Sequence, residues 1–312
     1  FSTAQMLLPI GQYGMRNYQA SDVIGKYGQE DYLASRVITC IIMMAGAVGF
    51  VMIKGYYPEK ALILVTLCLL KVTDAFDDVF GGYYQVNNRL DIAGKMQLIR
   101  IGLYAAVFVV TVAVTKNVLL ACAVSTAVSA VVLVVIVMMV KRLFPVVRPK
   151  FRGDRLKKLL IDCLPLCISA FLVLYMGNAP KYAIDAYMSS ESQAIYNYLF
   201  MPCYVICLFM TFVLQPLLVK MSKTWVEKDY AGFKKICLII CAVAVIFSAL
   251  VIVIGYFFGC PVLGWLYGVD LNPYVFPFTV LLFGGAGYAM AIILQTILTV
   301  MRHQYIIMVG FA

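Results

Sequence analysis

Lys71, Asp74, Asp77 and Asp78 put one ammonium group and three carboxylates within eight residues of an otherwise apolar segment, 61–84. An ammonium held away from water attracts anions, and a carboxylate held there can exchange a proton or take a sodium ion. At about 100° per residue, a helix brings Lys71, Asp74 and Asp78 within about 60° of one another on one face. At about 1.5 Å per residue, Lys71 falls roughly 15 Å from the outer boundary of a membrane span, near the midplane, with Asp77 and Asp78 nearer the cytoplasmic interface. Each charge at that depth costs about 2.5–3.5 kcal/mol on insertion scales, so this face is expected to line a wet interior rather than lipid. Two readings stand. Lys71 and Asp74 are an i,i+3 pair that only ties helices together, or Lys71 is an anion site with ion-coupling aspartates below it. On the second reading Asp77 or Asp78 is favoured for coupling, because a lysine keeps the aspartate it pairs with ionised.

The rest of the chain must supply the element that holds these groups. Of its 312 residues, 63% are hydrophobic and 13% charged, and the mean hydropathy is +0.93. Soluble domains are about half apolar, so the composition is that of an integral membrane protein. Spans need roughly 17–25 apolar residues. The sequence predicts nine, at 1–18, 37–53, 61–84, 96–115, 118–140, 159–176, 194–219, 236–258 and 274–300, with a tenth starting at the end. Phe1 in place of Met, and an apolar run at the other terminus, lead us to expect a piece of a longer chain with at least twelve transmembrane helices.

Orientation follows from the basic stretch 141–158, which carries Lys141, Arg142, Arg148, Lys150, Arg152, Arg155, Lys157 and Lys158 against a single acid, Asp154. Basic residues beside spans stay on the cytoplasmic side. Counting outward from this linker puts twenty of the 25 Lys and Arg residues on that side. The formal charge of +10 is thereby explained by topology, and nucleic acid, which requires an aqueous basic face, is excluded as a partner. The expected domains are a first lobe at 1–140 lacking its first helix, a linker at 141–158, and a truncated second lobe at 159–312. The lobes echo one another: Gln29-Glu30-Asp31-Tyr32 before Arg36 matches Glu227-Lys228-Asp229-Tyr230 before Lys234, and Arg89 matches Arg302. Repeats of like orientation imply two pseudo-symmetric helical bundles, a common transporter plan.

Other motifs carry less. Arg16 and Arg100 lie at predicted span ends, where arginines either snorkel to headgroups or face a cavity and grip phosphate. Asp74, Asp77 and Asp78 resemble half of a metal-pyrophosphate site of an intramembrane prenyl-pyrophosphate enzyme, but Mg²⁺ held against phosphates needs a second carboxylate motif; Asp162, Asp185 and Asp270 stand alone. The cysteine pairs 163/167, 203/207 and 237/241 lack the histidines or further thiolates of a metal site and read as small packing residues. Gly284-Gly285-Ala286-Gly287 reads as close helix packing. Pro165, Pro202 and Pro216 are expected either to kink or to break their spans. No cofactor motif and no nucleophile triad is present.

At Gly14-Met15-Arg16-Asn17-Tyr18-Gln19, Asp22 and Arg36, and again at Gly177-Asn178-Ala179-Pro180-Lys181-Tyr182 followed by Tyr196-Asn197-Tyr198, the chain resembles bacterial polysaccharide flippases. These belong to the multidrug/oligosaccharidyl-lipid/polysaccharide exporter superfamily. The resemblance implies an all-α polytopic membrane protein whose two bundles surround a central cavity, in the bacterial cytoplasmic membrane. It implies ion-coupled alternating access that exports a polyprenyl-pyrophosphate-linked oligosaccharide, with H⁺ or Na⁺ as coupling ion, membrane lipid as surroundings and polysaccharide polymerases as candidate partners. By that likeness Arg16, Lys71, Arg100 and Lys181 are the substrate-binding candidates, although the topology count sets Lys181 near the outer face. A drug or cation exporter of the same fold is the principal alternative.

Overall fold

Helices account for nearly all of the computed structural model, which describes residues 2–145 and 147–311. Phe1, Val146 and Ala312 lie outside the described residues, as do the side chains of Ser2, Tyr182, Asp185, Ala186, Ser190 and Phe311. The predicted start of the first span at Phe1, Tyr182 of the second motif and the lone Asp185 therefore fall outside that description.

The order is α1 (Ser2–Gln12), α2 (Met15–Ala20), α3 (Gln29–Lys54), α4 (Pro58–Val86), α5 (Leu90–Thr115), α6 (Val118–Val140), α7 (Gly153–Tyr187), α8 (Ser190–Val226), α9 (Tyr230–Ile254), a π-helical turn (Gly255–Gly259), α10 (Cys260–Tyr267), a short 3₁₀ turn (Asn272–Tyr274), α11 (Val275–Val300) and α12 (Gln304–Phe311). Local chemistry sets the ends. The orphan N–H groups of α6, α8 and α9 are met by side chains of Asn117, Ser189 and Asp229, which accept from Leu120, Ser192 and Gly232. Gly55 closes α3 in the left-handed conformation, φ +58°, where glycine carries no Cβ penalty. Pro58 opens α4, where its missing N–H would be unbonded anyway.

Among the described residues seven stretches are long and apolar enough to cross a membrane: Gln29–Lys54, Leu90–Thr115, Val118–Val140, Gly153–Lys181, Glu191–Val226, Tyr230–Tyr267 and Asn272–Val300. Val109, Val110, Val114, Val134, Val135 and Met139 on α5 and α6 are all exposed, an apolar surface of the kind that belongs in lipid. The chain is an all-α, multi-pass membrane protein. Two predicted spans differ from these seven. The segment 61–84 is long enough, as α4, but its charges set it apart. The expected continuous span at 1–18 is corrected: the helix breaks after Gln12, because Tyr13 and Gly14 both take positive φ, +52° and +62°. At Gly14 a Cβ would lie 2.6 Å from the Cβ of Leu166 on α7, so the close approach of α7 requires glycine there. Of the two alternatives for the prolines, a break is not what the structure has: α7 runs on through Pro165 and α8 through Pro202 and Pro216.

The chain forms two compact units, Phe1–Phe171 with Met308–Ala312, and Leu172–Ile307. In the first, α4 is the central helix, packed against α1, α2, α3, α5 and α6. In the second, α11 packs against α8, α9 and the π-helical turn. Glycines allow that last contact, since a Cβ at Gly255 or Gly259 would collide with Leu282 or Phe278. Gly285 meets α8 as closely: a Cβ there would lie 3.1 Å from the carbonyl oxygen of Cys203, in line with the expected close packing. The helix order also repeats. Each central helix follows a long apolar one and ends in a left-handed residue, Asn88 after α4 and Arg302 after α11.

The linker between α6 and α7 is irregular, and its bases find acids at the start of α3. Lys150 lies 3.0 Å and Arg152 3.5 Å from the Glu30 carboxylate, and Arg155 lies 3.7 Å from Asp31.

Candidate functional site

Because α4 is enclosed by five helices, its charged residues find partners inside the first unit. Lys71 Nζ lies 2.9 Å from Asp74 Oδ2. Arg100, on α5 and 1% exposed, donates from Nη1 to Asp74 Oδ1 at 2.8 Å and from Nη2 to Asp77 Oδ2 at 3.3 Å. Its Nη1 also reaches Ser129 Oγ on α6 at 2.9 Å and Thr73 Oγ1 at 3.3 Å, and those two hydroxyls are 2.7 Å apart. Arg100 therefore does not snorkel. It is the hub that joins α4, α5 and α6.

Asp78 has a different set of partners. Its Oδ2 accepts from Arg36 Nη2 at 3.1 Å, and its Oδ1 lies 3.8 Å from Arg16 Nη1. Arg36 is fully buried and also donates through Nη1 to the carbonyl of Gly11, which accepts from Thr39 Oγ1 at 2.8 Å as well. The last turn of α1 leaves such carbonyls without helical partners. Arg36 and Thr39 supply the donors. Lys71, Asp74 and Asp78 share one face of α4, but their partners differ: Arg100 gathers Asp74 and Asp77, while Asp78 belongs with Arg36 and Arg16. With protein on every side of α4, the face of a single helical stripe no longer decides which groups meet.

Arg16 is the loosest member, with its side chain 21% exposed and, among the described residues, an ion pair only to Asp78 at 3.8 Å. It lies over Gly81, where a Cβ would stand 3.4 Å from its Cζ. Among the carboxylates, Asp77 is the least compensated, since its Oδ1 is buried without a hydrogen-bond partner. Four cationic side chains (Arg16, Arg36, Lys71, Arg100) thus meet three carboxylates. Arg36, Thr73 and Ser129 were not among the sequence candidates. For Arg36 a signal existed: a helix starting at Gln29 sets it two turns inside α3 rather than in a loop before 37.

Lys181 belongs to the second unit. It sits on α7 with Nζ 5.2 Å from the ring centroid of Phe200, which in turn stacks on Tyr196 at 5.8 Å.

A second cluster anchors the loop after α2. Asp162 Oδ2 on α7 accepts from Lys26 Nζ at 2.8 Å, Tyr27 Oη at 2.9 Å and Tyr18 Oη at 3.1 Å. Partial burial of Lys26 opposes its charge, but the hydrogen bonds to Asp162 and Tyr27 and the Asp162 charge together outweigh this and raise Lys26 above the ordinary lysine value. The Tyr27 phenol is raised as well, first by burial and then by the Asp162 bond. Asp22 holds the same loop by accepting from the Lys26 and Tyr27 backbone N–H groups at 3.2 and 3.1 Å.

No protein-family model matches the sequence, and no curated protein matches it. The fold does match a solved structure, described as a crystal structure of MATE in the bent conformation, with a TM-score of 0.65 and 15% identity over 100% of this chain and 82% of that one. At that identity the likeness is one of architecture: the chain has the all-α, multi-pass membrane fold of that MATE structure.

Proposed function

We propose that the protein is a membrane transporter that flips a polyprenyl-pyrophosphate-linked oligosaccharide across the bacterial cytoplasmic membrane by ion-coupled alternating access. The likeness of fold to a MATE structure supports transport. The observation that carries the anionic substrate is the surplus of cations around the middle of α4: Asp74, Asp77 and Asp78 each have a guanidinium or ammonium partner, and four basic side chains meet these three carboxylates. A buried ion-pair network seldom adds net stability over apolar residues of similar volume, so stability alone does not account for charges in so deep a helix. Arg16, weakly held and partly open, is the first of them to meet a pyrophosphate. Arg's forked donors suit that group, with Lys71 and Arg100 behind it and Lys181 as the candidate of the second lobe.

The lobes of this reading are 1–140 and 159–312, joined by the basic linker 141–158. Asp77, with one oxygen unmatched, is the favoured site for H⁺ or Na⁺, and Asp78 and Asp74 are more fully neutralised. A drug or cation exporter of the same fold fits the architecture equally. An organic cation would have to approach Asp77 past the surplus of basic side chains around α4, which disfavours it. An intramembrane enzyme would need open carboxylates for metal, and the pairing of Asp74, Asp77 and Asp78 counts against it.

The deciding experiment is leaflet translocation of a fluorescent polyprenyl-pyrophosphate oligosaccharide by the full-length protein in proteoliposomes, beside Lys71→Ala and Arg16→Ala. Translocation that falls at least tenfold in either variant supports the reading. Equal rates in all three remove the anion site, and transport of organic cations in place of the glycan lipid moves the assignment to a drug exporter.

A further inference from the structure

Lys157 and Lys158 stand side by side near the start of α7, both exposed. Three of the six other bases of the same stretch are engaged, those that stand closest before them: Lys150 and Arg152 by Glu30, and Arg155 by Asp31. Among the described residues no acid pairs with Lys157 or Lys158, and Asp154, one turn earlier, reaches neither. Beside Lys157 an apolar cleft of about 350 Å³ opens on the first unit, lined by Tyr13, Leu156, Leu160, Ile161 and Leu164. The positions 157, 160, 161 and 164 follow i, i+3, i+4, i+7 and form one stripe of α7. Ile161 is 56% and Leu164 44% exposed. Tyr13 stands at the break between α1 and α2, so the cleft lies where the first helix stops.

We infer that this cleft binds one anionic phospholipid, its phosphate between Lys157 and Lys158 and an acyl chain along Leu160, Ile161 and Leu164. Charge complementarity selects this occupant. Two ammonium groups without acidic partners call for an anion, and a cleft that is otherwise apolar apart from one phenol calls for a hydrocarbon chain. A zwitterionic lipid supplies the chain without net negative charge, and an apolar helix supplies no anion at all. Depth agrees as well, since the bases lie at the end of an apolar stretch long enough to span the membrane, where headgroups sit and where basic residues attract anionic lipids. The site stands whether or not the transport reading holds.

The test is photolabelling of the full-length protein in phosphatidylcholine vesicles with phosphatidylglycerol carrying a diazirine in its acyl chain, with adducts mapped by peptide mass spectrometry. The expected result is adducts on Tyr13 and on residues 160–164, at least fivefold above those from a phosphatidylcholine probe of the same chain. Lys157→Gln with Lys158→Gln should abolish that preference, while Lys234→Gln with Lys235→Gln, which removes the same charge from α9, leaves it intact. Equal labelling by both probes, a preference that survives the 157/158 change, or a face free of adducts because protein covers it overturns the inference.

Discussion

Arg36 on α3 holds Asp78 on α4 at 3.1 Å, and with its other terminal nitrogen it holds the carbonyl of Gly11 at the end of α1. One buried guanidinium thus ties the charged helix to the break in the first. Removing one partner of a buried pair leaves an uncompensated charge, at a cost of about 3–5 kcal/mol. Arg36→Ala and Asp78→Ala should each lower thermal stability by that order, and Arg36→Met combined with Asp78→Leu should recover most of it. Thermal unfolding with a thiol-reactive dye suits the measurement, because the ten cysteines are free and mostly buried. Single variants no worse than the double would mean the pair is not what holds α3 to α4.

Ser129 accepts from Arg100 and shares a hydrogen bond with Thr73. Ser129→Ala removes one buried hydrogen bond from each neighbour while Arg100 keeps Asp74 and Thr73 and Thr73 keeps the Leu70 carbonyl, a loss of about 1–2 kcal/mol. The same unfolding assay reads it, and a change below about 0.5 kcal/mol would argue that solvent reaches the hub.

Gly14 and Gly25 both have positive φ, +62° and +73°, yet only Gly14 is crowded. Holding alanine in the left-handed region costs about 1–3 kcal/mol at either position. Gly14→Ala should lose distinctly more than Gly25→Ala, because its Cβ would meet Leu166. Equal losses would show that α7 yields at this contact.

If Asp77 exchanges the coupling ion, Asp77→Asn should still bind the substrate but no longer respond to imposed pH or sodium gradients. Arg100 keeps Asp74 as its partner in that variant, so folding should survive. Translocation in proteoliposomes with and without each gradient checks the expectation, and a gradient response equal to that of the unaltered protein transfers the role away from Asp77.

The Lys26–Asp162 pair sets a pH dependence of definite sign. Lys26 binds its proton more tightly folded than unfolded, so its contribution is complete below the ordinary lysine value of about 10.4 and is lost as the pH rises through the elevated folded value. The lysine side chain is 48% exposed, which limits the effect to under about 1 kcal/mol. Melting temperatures of the unaltered protein and Lys26→Gln should differ slightly near pH 9 and converge toward pH 12. A gap that widens with pH contradicts the pairing.

Much of the architecture was legible in the residues alone. Apolar run length locates spans without any tertiary contact, because the bilayer sets the length a helix must have. Thus 37–53, 96–115, 118–140 and 194–219 each fall inside a helix of the structure, and 118–140 coincides with α6. The Asp31/Asp229 and Arg89/Arg302 echoes do not keep register: Asp31 lies in the first turn of α3 whereas Asp229 caps α9, and the left-handed residue that answers Arg302 is Asn88. The break at Tyr13–Gly14 was not legible, because it depends on how closely Leu166 of α7 approaches, and periodicity in 1–18 carries no trace of that distance. The pairing of charges was hidden in the same way. Helical geometry assigned Asp74 and Asp78 to one face of α4, but which carboxylate meets which base was decided by Arg36 and Arg100 arriving from α3 and α5. The chain by itself determined that it spans a membrane and that α4 carries a cluster of charges within an apolar segment. Only the tertiary structure decided their partners, because pairing energy falls off over a few ångströms and residues far apart in sequence must be brought within that range.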